Sequence, residues 1–250
     1  MNPTKRLYWD DDHLLIANGV VVDVRHDSLA LDQTCFYSGG GGQPPDHGTL
    51  SVENTTVNVS GINADSDGVL WHGCNPTCAS WIGKTAVMRV EQARRLALSR
   101  HHTVLHLVNT IALRDYGAWI TGAQIDVDYA RIDFKWEGFS PSLCADVETK
   151  VNQEVETNRP ICSYWLTEQE FAARPDLLRT LERRPPVFNG RVRVVEISGF
   201  DAQACGGTHV ASIAQLGRMS IQRTENKGRV NKRLYVRLVD GHPSKSPVEQ

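Results

Sequence analysis

The sequence predicts an α+β protein in which a small N-terminal β-barrel precedes a mixed α+β domain. Short apolar runs separated by turn signals fill roughly residues 1–90, a spacing that is typical of a small barrel or sandwich. From Glu91 the apolar residues follow a helical period, and strand-like segments return beyond residue 190. We therefore predict a β domain, a small barrel or sandwich, at 1–88 and an α+β domain at 89–250.

The strands of the first domain are indicated by three apolar runs between glycine-containing turns, namely Leu14-Leu15-Ile16, Val20-Val21-Val22 and Val57-Asn58-Val59. After them, helical spacing predicts one long helix over roughly 91–115, with apolar positions at Val104, Leu105, Val108, Ile111 and Ala112.

A second helix is predicted from Ser140, a good N-cap, with Pro141 at its first position and its end before Arg159-Pro160. A capping-box pattern at Thr167–Glu170 predicts a short third helix. The strand-like segments that follow are Arg191–Ile197, Met219–Arg223 and Arg233–Val239, of which the last two are predicted to form a hairpin.

Composition excludes several classes of protein. With 250 residues, 40% hydrophobic residues and a net charge of −2, the chain is ordinary for a globular protein. It contains no run of about 18 apolar residues, so we expect no membrane span. Three aspartates at positions 10–12 precede any apolar run, which argues against a signal peptide. Six cysteines without a secretory signal favour reduced thiols and a cytoplasmic location.

Charge is unevenly distributed along the chain. Residues 1–85 contain ten acidic and four basic residues, whereas the segment from Arg218 to Arg237 has seven basic residues and one acidic residue. The basic segment predicts either a phosphate-binding face or an ordinary solvated strand pair. Its candidate phosphate contacts are Lys227, Arg229, Lys232 and Arg233.

Two short motifs contain candidate metal ligands. His102 and His106 are four residues apart on the long helix and so share one face, an arrangement that often holds zinc but also occurs without a metal. The segment Cys205-Gly206-Gly207-Thr208-His209 places a thiol and an imidazole four positions apart in a glycine-rich turn. Three imidazoles and a thiolate are donors that zinc prefers, so we predict one Zn²⁺ held by His102, His106, Cys205 and His209. The alternative is a buried cysteine and an unrelated loop histidine.

A glycine-rich run, Phe36–Gly48, is the third distinctive feature. It is not a nucleotide-binding P-loop, because no Gly-Lys-Ser/Thr follows and Pro44-Pro45 stands where a helix would continue. It is either a flexible hairpin tip or a loop that closes over a partner or a neighbouring site. In the second case its contacts would come from Gly39, Gly40, Gly41, Gly42, Gln43 and Asp46.

Together these stretches resemble the free-standing alanyl-tRNA editing proteins of the AlaX type, in their glycine-rich subfamily, which are related to the editing domain of alanyl-tRNA synthetase. Lesser matches are Gly68–His72 and Ala130–Phe134. The resemblance implies a barrel of the translation-factor kind followed by a zinc-binding editing domain. It also implies deacylation of mischarged tRNA(Ala), with removal of serine and in some members glycine, and no obligate protein partner.

Hydrolysis of such an ester needs an activated water, a polarised carbonyl and a pocket that distinguishes serine from alanine. Zinc can supply the first two, yet four protein ligands would close a tetrahedral site. Either one ligand is loose, or the metal becomes five-coordinate, or zinc positions the substrate while another group activates water. Candidate partners for the serine hydroxyl are Thr103, Thr121 and, ranked lowest, Thr208, and Gln124 or Asp133 could orient water or the ribose. The alternative for each threonine is an ordinary cap or turn hydroxyl, and the alternation in Arg131–Phe134 favours Asp133 as an ordinary strand residue.

Two other functions stay open on the sequence alone. One is a zinc-stabilised RNA-binding module without catalysis. The other is editing of a different tRNA, because threonyl-tRNA synthetase contains a related histidine and cysteine domain. The glycine-rich run and the preceding barrel favour the alanine lineage.

Overall fold

The computed structural model describes residues 1–179 and 185–239, and all structural statements below concern these residues. The helices are α1 (Gln92–Tyr116), α2 (Pro141–Val155) and α3 (Glu168–Ala172). The strands of the first half are β1 (Lys5–Arg6), β2 (Ile16–Arg25), β3 (Ser28–Leu31), β4 (Gln33–Thr34), β5 (Gly48–Val52), β6 (Thr55–Val59), β7 (Gly61–Ala64), β8 (Leu70–Gly73) and β9 (Thr85–Val90). Those of the second half are β10 (Trp119–Ile125), β11 (Ala130–Lys135), β12 (Ile161–Thr167), β13 (Val187–Phe188), β14 (Arg191–Ile197), β15 (Asp201–Ala204), β16 (Arg218–Asn226) and β17 (Asn231–Val239).

The first half forms a seven-stranded antiparallel sheet in the order β6-β5-β9-β2-β3-β8-β7, with a core that includes Leu29, Leu50 and Met88. The predicted barrel is not confirmed as a closed barrel, because β6 and β7, at the two ends of the sheet, are not hydrogen-bonded to each other. Only Ser60 separates these strands in the chain. One residue is too short for the hairpin turn that would pair them.

The second half confirms the mixed α+β prediction. The predicted long helix is α1, which ends where Gly117 adopts a left-handed φ of 64°. The second predicted helix is α2, with Pro141 in its first turn, and the capping box at Thr167 and Glu170 is present in α3. The three predicted strand segments lie within β14, β16 and β17.

Two sheets share the second half. One has the order β10-β11-β17-β16, and its apolar face packs with α1 and α2 around residues that include Ile132, Phe134 and Val236. The other has the order β12-β14-β13, with β15 paired to β14. This second sheet delivers the Cys205–His209 loop, since that loop directly follows β15.

The glycine-rich run extends from the first sheet and contacts strand β10 of the second half. The amide of Ile125, at the end of β10, donates a 2.8 Å hydrogen bond to the carbonyl oxygen of Gly42. A Cβ on Gly42 would lie 2.5 Å from the carbonyl oxygen of Ala123, so only glycine allows this approach. The division into domains at residue 88 stays a prediction, although the last strand of the first sheet does end at Val90.

A search of the described helices for a membrane span found none with the length and apolar character required.

Candidate metal centre and adjoining cavity

Four potential metal ligands converge between α1 and the loop after β15. The ligand atoms of His102, His106, Cys205 and His209 all lie within 4.8 Å of one another. The Cys205 sulfur is 3.5 Å from Nε2 of His102 and 3.4 Å from Nε2 of His209. The structure thus brings together the two sequence motifs that were predicted to share one metal.

Close packing of the loop against α1 depends on Gly207. A Cβ at this position would lie 2.2 Å from Cε1 and 2.4 Å from Nδ1 of His102. The buried Arg193 holds the same loop from the other side by donating to the carbonyl oxygens of Gly207 at 2.9 Å and Cys205 at 3.3 Å. An ion pair at 3.0 Å with Asp12 fixes Arg193 in turn.

Hydrogen bonds orient two of the imidazoles. Gln43 Oε1 lies 2.8 Å from His102 Nδ1, and its Nε2 donates to the Thr208 hydroxyl over 2.8 Å. The Thr103 hydroxyl lies 3.0 Å from His209 Nδ1. Both contacts leave Nε2 of the ring facing the Cys205 sulfur, which is how outer partners commonly orient metal-binding histidines.

The electrostatic environment favours neutral histidines. Burial lowers the pKa of His102 and of His209 well below the usual value, and it lowers the pKa of His106 to about 3. A neutral imidazole retains the lone pair that a metal requires. Burial raises the pKa of the Cys205 thiol to about 11, so this group would lose its proton on binding a metal.

The donor set fits zinc. With zinc–sulfur and zinc–nitrogen bonds of about 2.3 and 2.1 Å, tetrahedral coordination separates sulfur from nitrogen by about 3.6 Å. The two separations at Cys205, 3.5 and 3.4 Å, are close to this value. In addition, Nδ1 of His106 is buried and has no hydrogen-bond partner among the described residues, a condition that coordination of a metal through this nitrogen would relieve.

The glycine-rich run is an ordered turn. Gly39, Gly40, Gly41 and Gly42 all have positive φ, between 59° and 133°. The Tyr37 hydroxyl donates to the Gly40 carbonyl oxygen at 2.9 Å. Asp46 is fully buried, with both carboxylate oxygens 3.0 Å from Arg95 Nε and one 2.6 Å from the Tyr37 amide. Asp46 therefore anchors the turn from inside, and the four glycines form its outer part.

A cavity of about 630 Å³ adjoins the candidate metal centre. His102, His106 and Cys205 line it, whereas His209 does not. Other parts of the wall come from the N-terminal segment, the glycine-rich run, β10 and β13, through residues that include Arg6, Trp9, Gly40, Ile125 and Phe188. Trp9 is fixed beside the metal-ligand loop, because its Nε1 donates to the Gly206 carbonyl oxygen at 2.9 Å.

Other sequence-predicted site residues lie apart from this cavity. Thr121 occupies the bulge between Ile120 and Gly122 in the β10–β11 pairing, and its side chain is exposed. Gln124 is exposed and accepts a hydrogen bond from Arg131 at 2.9 Å. Asp133 pairs with Arg233 at 2.6 Å. None of the three is among the described residues that line the cavity, whereas Thr103 contacts the cluster through His209.

Strands β16 and β17 form the predicted basic hairpin, but several of its basic side chains already have partners within the protein. Lys227 pairs with Glu225 at 3.1 Å, and Lys232 donates to two carbonyl oxygens of the hairpin turn. Arg229 is exposed in that turn. Within the hairpin, the Arg223 guanidinium of β16 lies 4.0 Å from the centre of the Tyr235 ring of β17.

Asn109 and Gln203 are two of the cavity residues that the sequence reasoning did not single out. Asn109 follows His106 by three positions on α1, so helical spacing could have revealed it. Gln203 lies on β15, and no local pattern distinguishes it from other strand residues. Both line the cavity and contact each other, with Asn109 Nδ2 3.3 Å from Gln203 Oε1.

Two residues of the cluster, Cys205 and His209, lie in a segment that is similar to an additional domain of aminoacyl-tRNA synthetases. Residues 192–235 match the family model described as the threonyl and alanyl tRNA synthetase second additional domain. An alanyl-tRNA editing protein AlaX-M of Methanosarcina acetivorans is 32% identical over 95% of this chain and 100% of its own length. The chain belongs to this family of alanyl-tRNA editing proteins.

Two further relatives are similar to most of this chain. A second AlaX-M protein, from Saccharolobus solfataricus, is 30% identical over 93% of this chain and 98% of its own length. An alanine–tRNA ligase of Methanosarcina mazei is 34% identical over 89% of this chain, but the match covers only 24% of the ligase. The chain therefore corresponds to one part of the synthetase.

Proposed function

We propose that this protein is a zinc-dependent hydrolase that removes serine, and also glycine, from mischarged tRNA(Ala) in the cytoplasm. The observation that carries the proposal is that three of the four cluster residues line a cavity of about 630 Å³. Cavities of this size suit a small molecule such as the aminoacylated end of a tRNA. A purely structural metal is normally enclosed by its four ligands, whereas a catalytic one adjoins a space for substrate.

When bound, zinc would supply a Lewis acid that polarises a carbonyl and lowers the pKa of a bound water. The protein's own residues set the geometry of the ligands. Gln43 and Thr103 hold the imidazoles of His102 and His209, and Arg193 holds the Cys205 loop. Such outer partners typically change metal affinity or activity 10–100-fold when they are removed.

The cavity walls would position the ester. Its apolar side is formed by Leu105, Ile120 and Ile125, which limit the water that reaches the reacting groups. Arg6 and Arg179 also line it, and since Asp201 compensates the charge of Arg179, it is Arg6 that would attract the phosphodiester backbone of a nucleic acid.

We propose that the tRNA approaches over the glycine-rich turn and the basic hairpin. Gly39, Gly40 and Gly41 form part of the cavity rim, where small residues let an RNA backbone come close. Arg229 and Lys227 are exposed in the hairpin, and phosphate contacts there would make the affinity strongly dependent on salt. Reversing both charges to glutamate is expected to weaken binding to all tRNA sequences.

The direct test is serine release from preformed Ser-tRNA(Ala), with Ala-tRNA(Ala) measured alongside. We expect serine release, sparing of alanine, and loss of activity in Cys205→Ala. A matched control is Cys162→Ala, which removes an exposed thiol on β12 and should behave as wild type. If folded, zinc-loaded protein binds tRNA but releases no amino acid, the chain is a zinc-stabilised RNA-binding module instead. Release from mischarged tRNA(Thr) alone would indicate the other lineage.

A further inference from the structure

One of the residues that line the cavity has a buried hydrogen-bond acceptor with no partner among the described residues. Asn109 lies on α1 next to the turn of His106, and both residues line the cavity. Asn109 is only 3% exposed, and its Oδ1 atom forms no hydrogen bond with any described residue. Buried acceptors are nearly always satisfied, because leaving one unpaired is costly. A ligand in the cavity is the natural source of the missing donor.

A series of hydrogen bonds determines which atom of the Asn109 amide has no partner among the described residues. The Asp201 carboxylate can only accept, so the Gln203 amide nitrogen faces it, at 2.7 Å. The Gln203 carbonyl oxygen consequently points to Asn109, whose amide nitrogen donates to it over 3.3 Å. Asn109 Oδ1 is then the end of this series. An ion pair between Asp201 and Arg179 anchors the other end.

The cavity lining restricts the chemistry of the donor. No aspartate or glutamate is found among the described lining residues, whereas two arginines, Arg6 and Arg179, are. An ammonium group gains most from a carboxylate and is repelled by guanidinium groups. A neutral hydroxyl, in contrast, satisfies an amide oxygen fully. Acceptors of this kind reject ligands that lack the donor, because the buried oxygen would then stay unpaired.

We infer that Asn109 Oδ1 accepts a hydrogen bond from the hydroxyl of the acyl group and thereby selects seryl over alanyl and glycyl esters. Gln203 acts as a positioning residue, since it orients the Asn109 amide. The inference rests on the proposed function and adds a residue that discriminates between its substrates. Serine is then preferred to glycine by the same contact that excludes alanine.

The test uses ligands that cannot be hydrolysed. Three amides of 3′-amino-3′-deoxyadenosine, carrying seryl, alanyl or glycyl groups, are titrated calorimetrically into the full-length zinc-loaded protein. Wild type is expected to bind the seryl amide about 10–100-fold more tightly than the other two. In Asn109→Ala this preference should disappear, with the affinity for the alanyl amide nearly unchanged.

Control variants separate this role from a structural one. Asn58→Ala removes an exposed asparagine of β6 and should keep the wild-type preference. Zinc content and the urea unfolding midpoint establish that Asn109→Ala is folded. Should that variant not fold, Gln203→Met provides the second test, and we expect it to reduce the seryl preference at least several-fold.

Several results would overturn the inference. One is a seryl preference that survives in Asn109→Ala, and another is an equal loss of affinity for all three amides, which would assign Oδ1 to a group common to them. Wild type that binds the three amides equally, or binds none, also overturns it. Serine release from Ser-tRNA(Ala) by wild type is measured in parallel. Its absence refutes the proposed hydrolase, whereas its presence together with an unchanged preference in Asn109→Ala refutes only the inference.

Discussion

Replacing Gly207 with alanine adds a single methyl group, which should displace His102 from the candidate metal centre and so lower its affinity for zinc. The added Cβ would lie 2.2 Å from Cε1 of His102, 2.4 Å from its Nδ1 and 2.9 Å from Oε1 of Gln43. Carbon atoms in contact are normally separated by about 3.5–4.0 Å. The His102 ring would therefore have to move by more than about 1 Å, or the whole loop would have to withdraw from α1.

The size of the effect follows from that displacement. Metal–ligand distances tolerate deviations of only about 0.2 Å, so a ring moved by about 1 Å no longer coordinates. The same shift would break the 2.8 Å contact between His102 and Gln43. Loss of an outer partner alone typically lowers metal affinity 10–100-fold, and loss of a ligand costs more. We therefore expect zinc affinity and serine release in Gly207→Ala to fall by at least about 100-fold.

The neighbouring glycine provides a matched control. A Cβ on Gly206 would meet Pro186 at 3.5 Å and Trp9 at 3.8 Å, which are ordinary van der Waals separations. Zinc affinity is measured by competition with a chromophoric chelator, and Gly206→Ala should remain close to wild type. If Gly207→Ala binds zinc as tightly as Gly206→Ala, the proposed packing of this loop against His102 is wrong.

Three further predictions concern the surroundings of the site. Gln43→Ala removes the partner of His102 Nδ1 and should lower zinc affinity about 10–100-fold in the same chelator assay; an unchanged affinity would refute the orienting role of Gln43. Asp46→Ala leaves the buried Arg95 uncompensated and should reduce the free energy of unfolding in urea by about 3–5 kcal/mol; a loss below about 1 kcal/mol would contradict a buried pair. His72 is neutral in the fold, because burial lowers its pKa to about 4 from an unfolded value of 6.5. Its contribution to stability is therefore complete above pH 6.5 and falls as the pH drops towards 4, by about 2 kcal/mol between pH 7.5 and pH 5. His72→Asn should flatten the pH dependence of unfolding by this amount, and an unaltered slope would show that His72 is not buried in its neutral form.

Local sequence patterns predicted the elements whose determinants are local. The helical spacing of apolar residues gave α1, and Ser140 with Pro141 gave the start of α2. The barrel is not confirmed as a closed one, because the end strands β6 and β7 are not hydrogen-bonded to each other. The apolar pattern of a strand indicates that it is a strand but not which other strand it pairs with.

In the candidate site too, residues that share a local motif could be predicted, whereas residues brought together from distant segments could not. The four candidate metal ligands were evident because each pair is four residues apart within its own motif. The role of Gln43 was not, since its contact with His102 spans 59 residues of sequence. The position of Thr121 depends on a bulge in β10, which changes the face on which following side chains lie. Contacts between distant segments and shifts of register thus set the limit of what the sequence alone could predict.

The central claim is that a metal in the His102, His106, Cys205 and His209 cluster is required for ester hydrolysis. The most direct measurement is the initial rate of serine release from Ser-tRNA(Ala) by chelator-stripped protein, before and after addition of one equivalent of Zn²⁺, with circular dichroism recorded on both samples. We predict that the stripped protein is folded but inactive, and that one equivalent of Zn²⁺ restores activity. Equal rates from the folded, metal-free protein and the reloaded protein would contradict it.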